Sequence, residues 1–459
     1  MEEALSARGY RVVPWGEAAA YRVVNTCTVT AKTDRTCRHE IRRAMRRDPA
    51  SQVVVTGCFA QVAPEKVAAI PGVALVLGNL DKARLAQHLD DLRAAETVGG
   101  RSDPNAAAAP QAPYTVVTPY DYGGNGDRAQ AFEGDFFTHF SGYTRAFLKV
   151  QNGCDAGCSY CVIPSARGPS RSMHAREVLA QMRLLAEQGY QEVVLTGIHL
   201  GSWGRDTGEG GLADLLETLA TDGAVPRYRL SSTEPMEVDD SVLAVMRAHA
   251  TRFADHFHVP LQSGSPEILR RMNRPYTAEQ FAERVQAIRR AFPDAAIGTD
   301  VIVGFPGETE AHLNETSELV AGLPLTYLHV FAYSDRPGTG ASQMPSKVPP
   351  EVIDDRSVRL RALGARKRAD FEQRFRDKEL HALLLRRRSA DGRLAALTGN
   401  YIEVLVDADD RLINHFVYVR PERVRPEGGW LGVLLAIDDP PRSDATVDYP
   451  EAADDGRGR

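Results

Sequence analysis

Short apolar runs alternate with amphipathic stretches over residues 1–95. Residues 11–13, 21–24, 53–55 and 75–77 read as buried strands. Between them, 33–47 and 64–69 carry helical periodicity, the second with Pro64 in its first turn. Strand and helix in alternation predict an α/β unit built on an open, parallel, doubly wound sheet. From 96 to 143 the period is lost and Gly, Pro, Ala, Ser and Asp dominate, which predicts a linker, with Phe132, Phe136, Phe137 and Phe140 able to dock it on a neighbour. The alternation resumes over 144–373. Strands are expected at 146–150, 192–195, 228–230, 256–259, 295–303 and 326–331, with a helix over 176–189 ending in Gly189. This pattern predicts an open β/α barrel whose chemistry sits at the C-terminal ends of its strands. A connecting helix over 359–378 leads to a final unit, 374–437. Its short β-like runs at 381–385, 401–406, 416–419 and 430–437, with turns at Gly392, Gly399 and Gly428, predict a small β-barrel. The last stretch, 438–459, has seven acidic residues against three arginines and is expected to be a disordered tail.

Composition narrows the class without changing the architecture. At 459 residues, 43% hydrophobic and 25% charged, the chain fits a multidomain globular protein. It has no apolar run of membrane-spanning length and does not open on a signal peptide, and with its cysteine usage this makes a cytoplasmic protein the expectation; a monomer is expected. The net charge of -6 hides two basic runs. One is Arg35, Arg38, Arg42, Arg43, Arg46 and Arg47. The other extends from Arg356 through Arg386-Arg387-Arg388. Each reads equally as a phosphate-facing surface or as a solvated helix face with internal ion pairs.

The chemistry concentrates in Cys154-Asp155-Ala156-Gly157-Cys158-Ser159-Tyr160-Cys161. Three of only six cysteines fall in eight residues, a pattern that argues for metal ligation in a reducing compartment. Three thiolates can hold a four-iron, four-sulfur cluster with one iron left open for chemistry. Zinc is the weaker reading, because no second pair of cysteines or histidines lies nearby to complete four ligands.

This octet resembles the signature of the radical S-adenosylmethionine (SAM) enzymes. The resemblance implies SAM chelated at the open iron as the source of a 5′-deoxyadenosyl radical, with Tyr160 packed beside it. Asn25-Thr26-Cys27-Thr28-Val29-Thr30 and Thr56-Gly57-Cys58-Phe59-Ala60-Gln61 resemble the N-terminal domain of the radical SAM methylthiotransferases. In that family three cysteines hold a second cluster; here Cys27 and Cys58 match two of them and should share one rim of the sheet. The third would lie on a loop after an initial strand, so the true start is expected upstream, with Met1 an internal methionine. Cys37, on a predicted helix, is read as structural. The resemblance further places Thr196 and Gly197 near the SAM amino group, Ser231 and Glu234 at the ribose and adenosyl moiety, and Val303, Gly304 and Phe305 beside the adenine. Gly399-Asn400-Tyr401-Ile402-Glu403-Val404 resembles the TRAM domain, an OB-like RNA-binding barrel, which would put Arg386-Arg387-Arg388 on its RNA face.

The family resemblance implies two [4Fe-4S] clusters, SAM used as methyl donor and radical source, an electron donor such as flavodoxin or ferredoxin, and a methylthio group inserted at an unreactive carbon. No residue stands out as a general base, and hydrogen abstraction by a radical does not demand one. Asn25 to Lys32 and Val330 to Thr339 most resemble the branch that modifies C2 of threonylcarbamoyl-adenosine beside the tRNA anticodon. The alternatives are modification of a ribosomal-protein aspartate, or an RNA-binding protein that cleaves SAM without inserting sulfur.

Overall fold

The computed structural model describes residues 1–98, 114–120, 132, 142–425 and 428–438. Its N-terminal unit is a parallel sheet of strands Tyr21–Thr26, Gln52–Gly57, Val73–Leu77 and Tyr114–Val116, adjacent in that order. The helix Ala31–Arg47 is capped by the Thr30 hydroxyl, which accepts from Thr33 N. With Cys58–Val62 and Pro64–Ala68 it covers one face, packing Ile41, Phe59 and Val67 on Val53 and Val55. Leu85–Val98 and the opening helix Glu2–Ala7 lie over the other face, against Val54, Leu75 and Leu77.

Three features of this unit depart from expectation. Residues 11–13 are coil, not a strand, with Arg11 and Val12 exposed and Val13 half-buried. Pro14 cannot donate to a ladder, and the buried Arg22 guanidinium takes the carbonyls of Trp15 and Glu17 at 3.0 and 2.9 Å, fixing a loop. The strand order advances one way among the described strands, where a doubly wound sheet reverses, although helices do cover both faces. Finally, 114–116 leaves the expected linker to form the fourth strand. It is followed by Thr118, whose backbone N–H and hydroxyl both donate to the buried Asp81 at 2.9 and 2.8 Å. Phe132 packs on the central core, 5.3 Å from the Lys149 ammonium; Phe136, Phe137 and Phe140 lie outside the described residues.

The central unit carries six parallel strands in chain order. Ala146–Lys149, Glu192–Thr196 and Arg227–Leu230 form one sheet, and His256–His258, Ala296–Val303 and Tyr327–Ala332 a second. The sheets join where Tyr228 exchanges backbone hydrogen bonds with Arg252 and Ala254 at 2.7 and 2.8 Å. No pairing links the first strand to the last among the described residues, so the barrel is open. Amphipathic helices, among them Ala175–Glu187, Leu212–Asp222 and Ala278–Ala291, wrap it and bury one continuous core that includes Leu195, Leu215, Tyr228, Phe257 and Phe281.

The connecting helix runs from Pro350 to Gln373, earlier at both ends than periodicity suggested. Four of the six arginines from Arg356 to the helix C-cap Arg374 form ion pairs. Arg356 meets Glu308 at 2.5 Å, Arg359 meets Glu310 at 2.6 Å, Arg368 meets Glu372 at 2.7 Å and Arg374 meets Asp294 at 2.8 Å. This run is a paired face, not a bare basic one. The C-terminal unit is a closed five-stranded barrel of Leu380–Arg388, Leu394–Thr398, Glu403–Val406, Trp430–Ile437 and Phe416–Val424. The strand Leu394–Thr398 escaped sequence reading because Leu-Ala-Ala-Leu favours helix by propensity; burial of all five residues inside the barrel overrides that. Tyr401 turns at φ 67° before its strand and so is not part of it. The acidic tail beyond Asp438 lies outside the described residues.

The small barrel is seated beneath the open one. Glu192, fully buried, takes Arg145, Arg227 and Arg229 at 3.2, 2.6 and 2.9 Å. Burial would raise this carboxyl, but the three guanidinium groups hold it well below the usual carboxylate range. Arg227 and Arg229 also donate to the carbonyls of Leu397, Thr398 and Gly399, and the Tyr401 ring stacks on His256 at 4.4 Å.

Candidate cluster and substrate site

Cys27 and Cys58 each follow the end of a strand, and those ends are register partners, Thr26 opposite Gly57. The shared rim expected of them is therefore present. Gly57 sits at φ 100°, where a Cβ would fall 2.2 Å from the Thr26 carbonyl, so only glycine brings the chain this close before Cys58. Cys27 is exposed and Cys58 buried. The Cys37 thiol faces the Cys27 carbonyl oxygen at 3.4 Å and packs into the helix-side core, where burial raises its pKa.

The other three cysteines lie on the loop after the first barrel strands, all part-buried. Gly153, at φ 77°, permits the entry to that loop, because a Cβ there would meet the Pro169 carbonyl. Cationic groups face the sulfurs. Arg274 Nη1 donates to Cys158 Sγ at 3.0 Å and forms an ion pair with Glu234. His199 Nδ1 lies 3.7 Å from Cys154 Sγ, with its Nε2 2.9 Å from Glu237. Burial would lower the His199 pKa, but Cys154 and Glu237 hold it up at about 10. The donor set fits an iron–sulfur cluster: three thiolates on one loop, flanked by groups that offset their negative charge.

The five-residue helix Ile163–Arg167 joins the two cysteine sets. Arg167 Nε donates to Cys58 Sγ at 3.1 Å, and Asn79 Nδ2 donates to the Ala166 carbonyl at 2.7 Å while lying 3.7 Å from the same sulfur. Lys82, bonded to Asn25 Oδ1 at 2.9 Å, is a second cation on this side; burial and the Arg167 charge push it down to about 8.

The remaining predicted residues divide. Thr196, Gly197, Ser231 and Glu234 lie at or just beyond neighbouring strand ends, on the side of the loop that His199 and Arg274 occupy. Ser231 Oγ is buried without a hydrogen-bond partner, an orphaned polar atom at a place where a polar ligand would satisfy it. Val303 is buried and Gly304 donates its N–H to Glu308 at 3.1 Å. The Phe305 ring is enclosed by Ile268, Met272, Ala341 and Tyr333, so the backbone there, not the ring, is what the strand end offers a ligand. Tyr160 joins that cluster from its edge.

A cavity of about 210 Å³ opens between the two cysteine-bearing units, with Val29 and Thr30 on one side and Tyr160 and Cys161 on the other. Asp300 and Gln262 are polar members of its wall. Gln262 is held at φ 67°, a conformation that costs a side-chain-bearing residue about 1–3 kcal/mol. The two stretches that carried the branch resemblance meet beside this cavity. Ala31 N donates to Ser334 Oγ at 2.7 Å, and the buried Arg336 donates to Asp34 at 2.7 Å and to Thr28 Oγ1. Sequence reading missed Arg167, His199, Gln262, Arg274 and Asp300. Arg167, one short helix after the third cysteine, His199, two residues after Gly197, and Gln262, in the polar run just after a barrel strand, had a positional signal; Arg274 and Asp300 had none.

Comparison with known proteins agrees with this division. The family model described as Radical SAM superfamily matches residues 148–320, and that described as Uncharacterized protein family UPF0004 matches residues 1–78. The chain is 35% identical over 416 residues to the threonylcarbamoyladenosine tRNA methylthiotransferase MtaB of Bacillus subtilis, covering 90% of this chain and 87% of that one. It is 39% identical over 400 residues to the protein of the same name from Aquifex aeolicus, covering 86% and 90%. To the tRNA-2-methylthio-N(6)-dimethylallyladenosine synthase of Erythrobacter litoralis it is 32% identical over 385 residues, covering 81% and 79%.

Proposed function

The chain belongs to the radical SAM methylthiotransferase family, and on that premise we propose that it inserts a methylthio group at C2 of threonylcarbamoyl-adenosine beside the anticodon of tRNA. It is a methylthio-transferring enzyme whose cofactors are [4Fe-4S] clusters and SAM. Cys154, Cys158 and Cys161 would hold the cluster that takes SAM. Tyr160, Thr196, Gly197, Ser231, Glu234 and the 303–305 backbone would be its neighbours, and Cys27 and Cys58 would ligate the second cluster. When bound, these groups supply the radical that removes a hydrogen and the sulfur that replaces it. The chain's own task is to hold one adenosine between the two and to exclude water.

The observation that carries this reading is the cavity walled on one side by Val29 and Thr30 and on the other by Tyr160 and Cys161. A single base there would lie against Cys161 on one side and the stretch that follows Cys27 on the other. Two supports bear on RNA. Lys32, Arg35, His39, Arg42 and Arg46 recur at alternating steps of three and four along the helix Ala31–Arg47, forming one exposed basic stripe that starts at the cavity mouth. The closed C-terminal barrel is the expected place for a TRAM-like RNA contact. There Arg387 and Arg388 pair with Glu403 and Asp410, which leaves the helix stripe as the stronger phosphate track.

Mass analysis of tRNA nucleosides from a strain lacking the gene tests the proposal. The expected result is loss of 2-methylthio-threonylcarbamoyl-adenosine with its unmethylthiolated precursor retained. An unchanged level of the methylthio derivative sinks it.

A further inference from the structure

Among the relatives, two substituents on the adenosine N6 are named: a polar threonylcarbamoyl group and a purely hydrocarbon dimethylallyl group. Family membership therefore leaves the choice open, and the wall of the cavity bears on it. We infer that Asp300 and His329 form a subsite for the polar N6 substituent, and that they select a carbamoyl-linked amino acid over a hydrocarbon. This rests on the methylthiotransferase reading of the same cavity.

The argument begins with a chain of hydrogen bonds across three adjacent strands. His256 Nε2 lies 2.8 Å from the Tyr327 hydroxyl, which lies 3.4 Å from His258 Nδ1. His258 Nε2 is 2.8 Å from Asp300 Oδ1, and His329 Nδ1 reaches the same oxygen at 3.2 Å. His256 is buried, and burial pushes its pKa well down. The tyrosine hydroxyl links it to His258, whose Nε2 faces Asp300. The chain of polar groups ends on one carboxylate. Burial would raise the Asp300 pKa, but its hydrogen bonds from His258 and His329 bring it down to about 2. The group is an ionised acceptor at any working pH.

A carboxylate can accept about four hydrogen bonds, and the two histidines occupy only Oδ1. Asp300 lines the cavity, so its remaining capacity is offered to a ligand N–H or O–H. A carbamoyl linkage supplies N–H groups, and a threonyl residue supplies a hydroxyl and a carboxylate. His329 is half-exposed, and its Nε2 makes no hydrogen bond among the described residues. It stands beside Asp300, just behind the cavity wall, and is placed to meet the hydroxyl. A dimethylallyl group offers nothing to either. It would press hydrocarbon on an ionised carboxylate and strip its water, and a site built around such a polar group rejects the analogue lacking a partner more strongly than apolar pockets reject extra bulk. The three ligand atoms lie within 4.8 Å of one another, close enough for a metal ion, but their mutual hydrogen bonds already satisfy them without one.

The test measures binding of three anticodon stem-loop RNAs to the anaerobically reconstituted protein. They carry threonylcarbamoyl-adenosine, dimethylallyl-adenosine or adenosine at the modified position, and the last is the reference within each variant. The expected preference for the threonylcarbamoyl RNA over the dimethylallyl RNA is about 100-fold, falling below tenfold in His329→Leu, whose half-exposed position spares the fold, and in Asp300→Asn. If the parent protein prefers the dimethylallyl RNA, both this inference and the proposed substrate fail. If it prefers the threonylcarbamoyl RNA and both variants keep that preference, the substrate stands and the subsite is wrong. A stoichiometric non-iron metal that disappears in Asp300→Asn would also overturn the subsite.

Discussion

Arg167 places its guanidinium Nε 3.1 Å from the sulfur of Cys58, although the two residues belong to different units of the chain. Arg167 ends the short helix that begins two residues after Cys161, so one rigid turn fixes the distance between the two cysteine sets. The contact also sets a cation against the Cys58 sulfur. With Cys27 and Cys58 as the proposed ligands of the second cluster, Arg167→Ala is expected to lower iron retention there about 10–100-fold, the usual cost of losing a group that supports a metal ligand. Iron and acid-labile sulfide per chain, measured with Cys154, Cys158 and Cys161 all replaced by alanine, isolate that site. Unchanged content there would show that Arg167 only spaces the two units.

Arg336 clamps the N-terminal unit to the central one through Asp34 and Thr28. Its side chain is 7% exposed and that of Asp34 is 13% exposed, so truncation strands a carboxylate away from water. Arg336→Ala should cost roughly 3–5 kcal/mol at that joint, the range for breaking a buried pair. Faster amide exchange across residues 27–37, with the strand Ala296–Val303 unaffected, is the signature. Uniform loss of protection would mean that the two units do not separate independently.

Glu192 gives the chain an acid-sensitive joint. Its folded pKa lies below its unfolded value of about 4.3. It therefore contributes stability above that pH and loses the contribution as pH falls toward the folded value. Urea midpoints of the parent protein should drop steeply below about pH 4. In Glu192→Gln the midpoint should already be low at pH 7, because three arginines lose their counter-charge, and should fall less on acidification. Parallel pH profiles for the two proteins would remove Glu192 from the account.

The basic stripe on the helix Ala31–Arg47 makes a prediction about salt. Replacing Arg35, Arg42 and Arg46 with glutamate should weaken RNA binding uniformly across sequences. It should also flatten the plot of log affinity against log salt by about two to three, near one for each phosphate no longer neutralised. A slope equal to that of the parent protein would remove this helix from the RNA path.

Much of this architecture is legible in the order of residues alone. Strand–helix alternation places the six central strands within a residue or two, and the spacing of Cys154, Cys158 and Cys161 marks their loop. Periodicity fails where tertiary context decides. Leu394–Thr398 looks helical until a barrel buries it, and 114–116 gains its role only beside Val73–Leu77. Asp300, His258 and His329 are invisible for a related reason. They come from three strands that are adjacent in space but separated by helices in the chain, and no linear motif records such a neighbourhood.

The seat of the C-terminal barrel is made in part by backbone. Arg227 and Arg229 grip the carbonyls of Leu397, Thr398 and Gly399. The barrel adds side chains of its own: the Tyr401 ring on His256, the Phe416 ring under Arg227, and the amides of Asn400 and Asn414, which donate to the carbonyls of Asp294 and Gly189. A carbonyl is the same whatever residue bears it. The turn at 397–399 is therefore free to change its letters so long as it keeps its shape, and the side chains at 400, 401, 414 and 416 carry the part of the attachment that depends on sequence. A different small module could be carried in the same socket by presenting three carbonyls in that curve together with those four contacts.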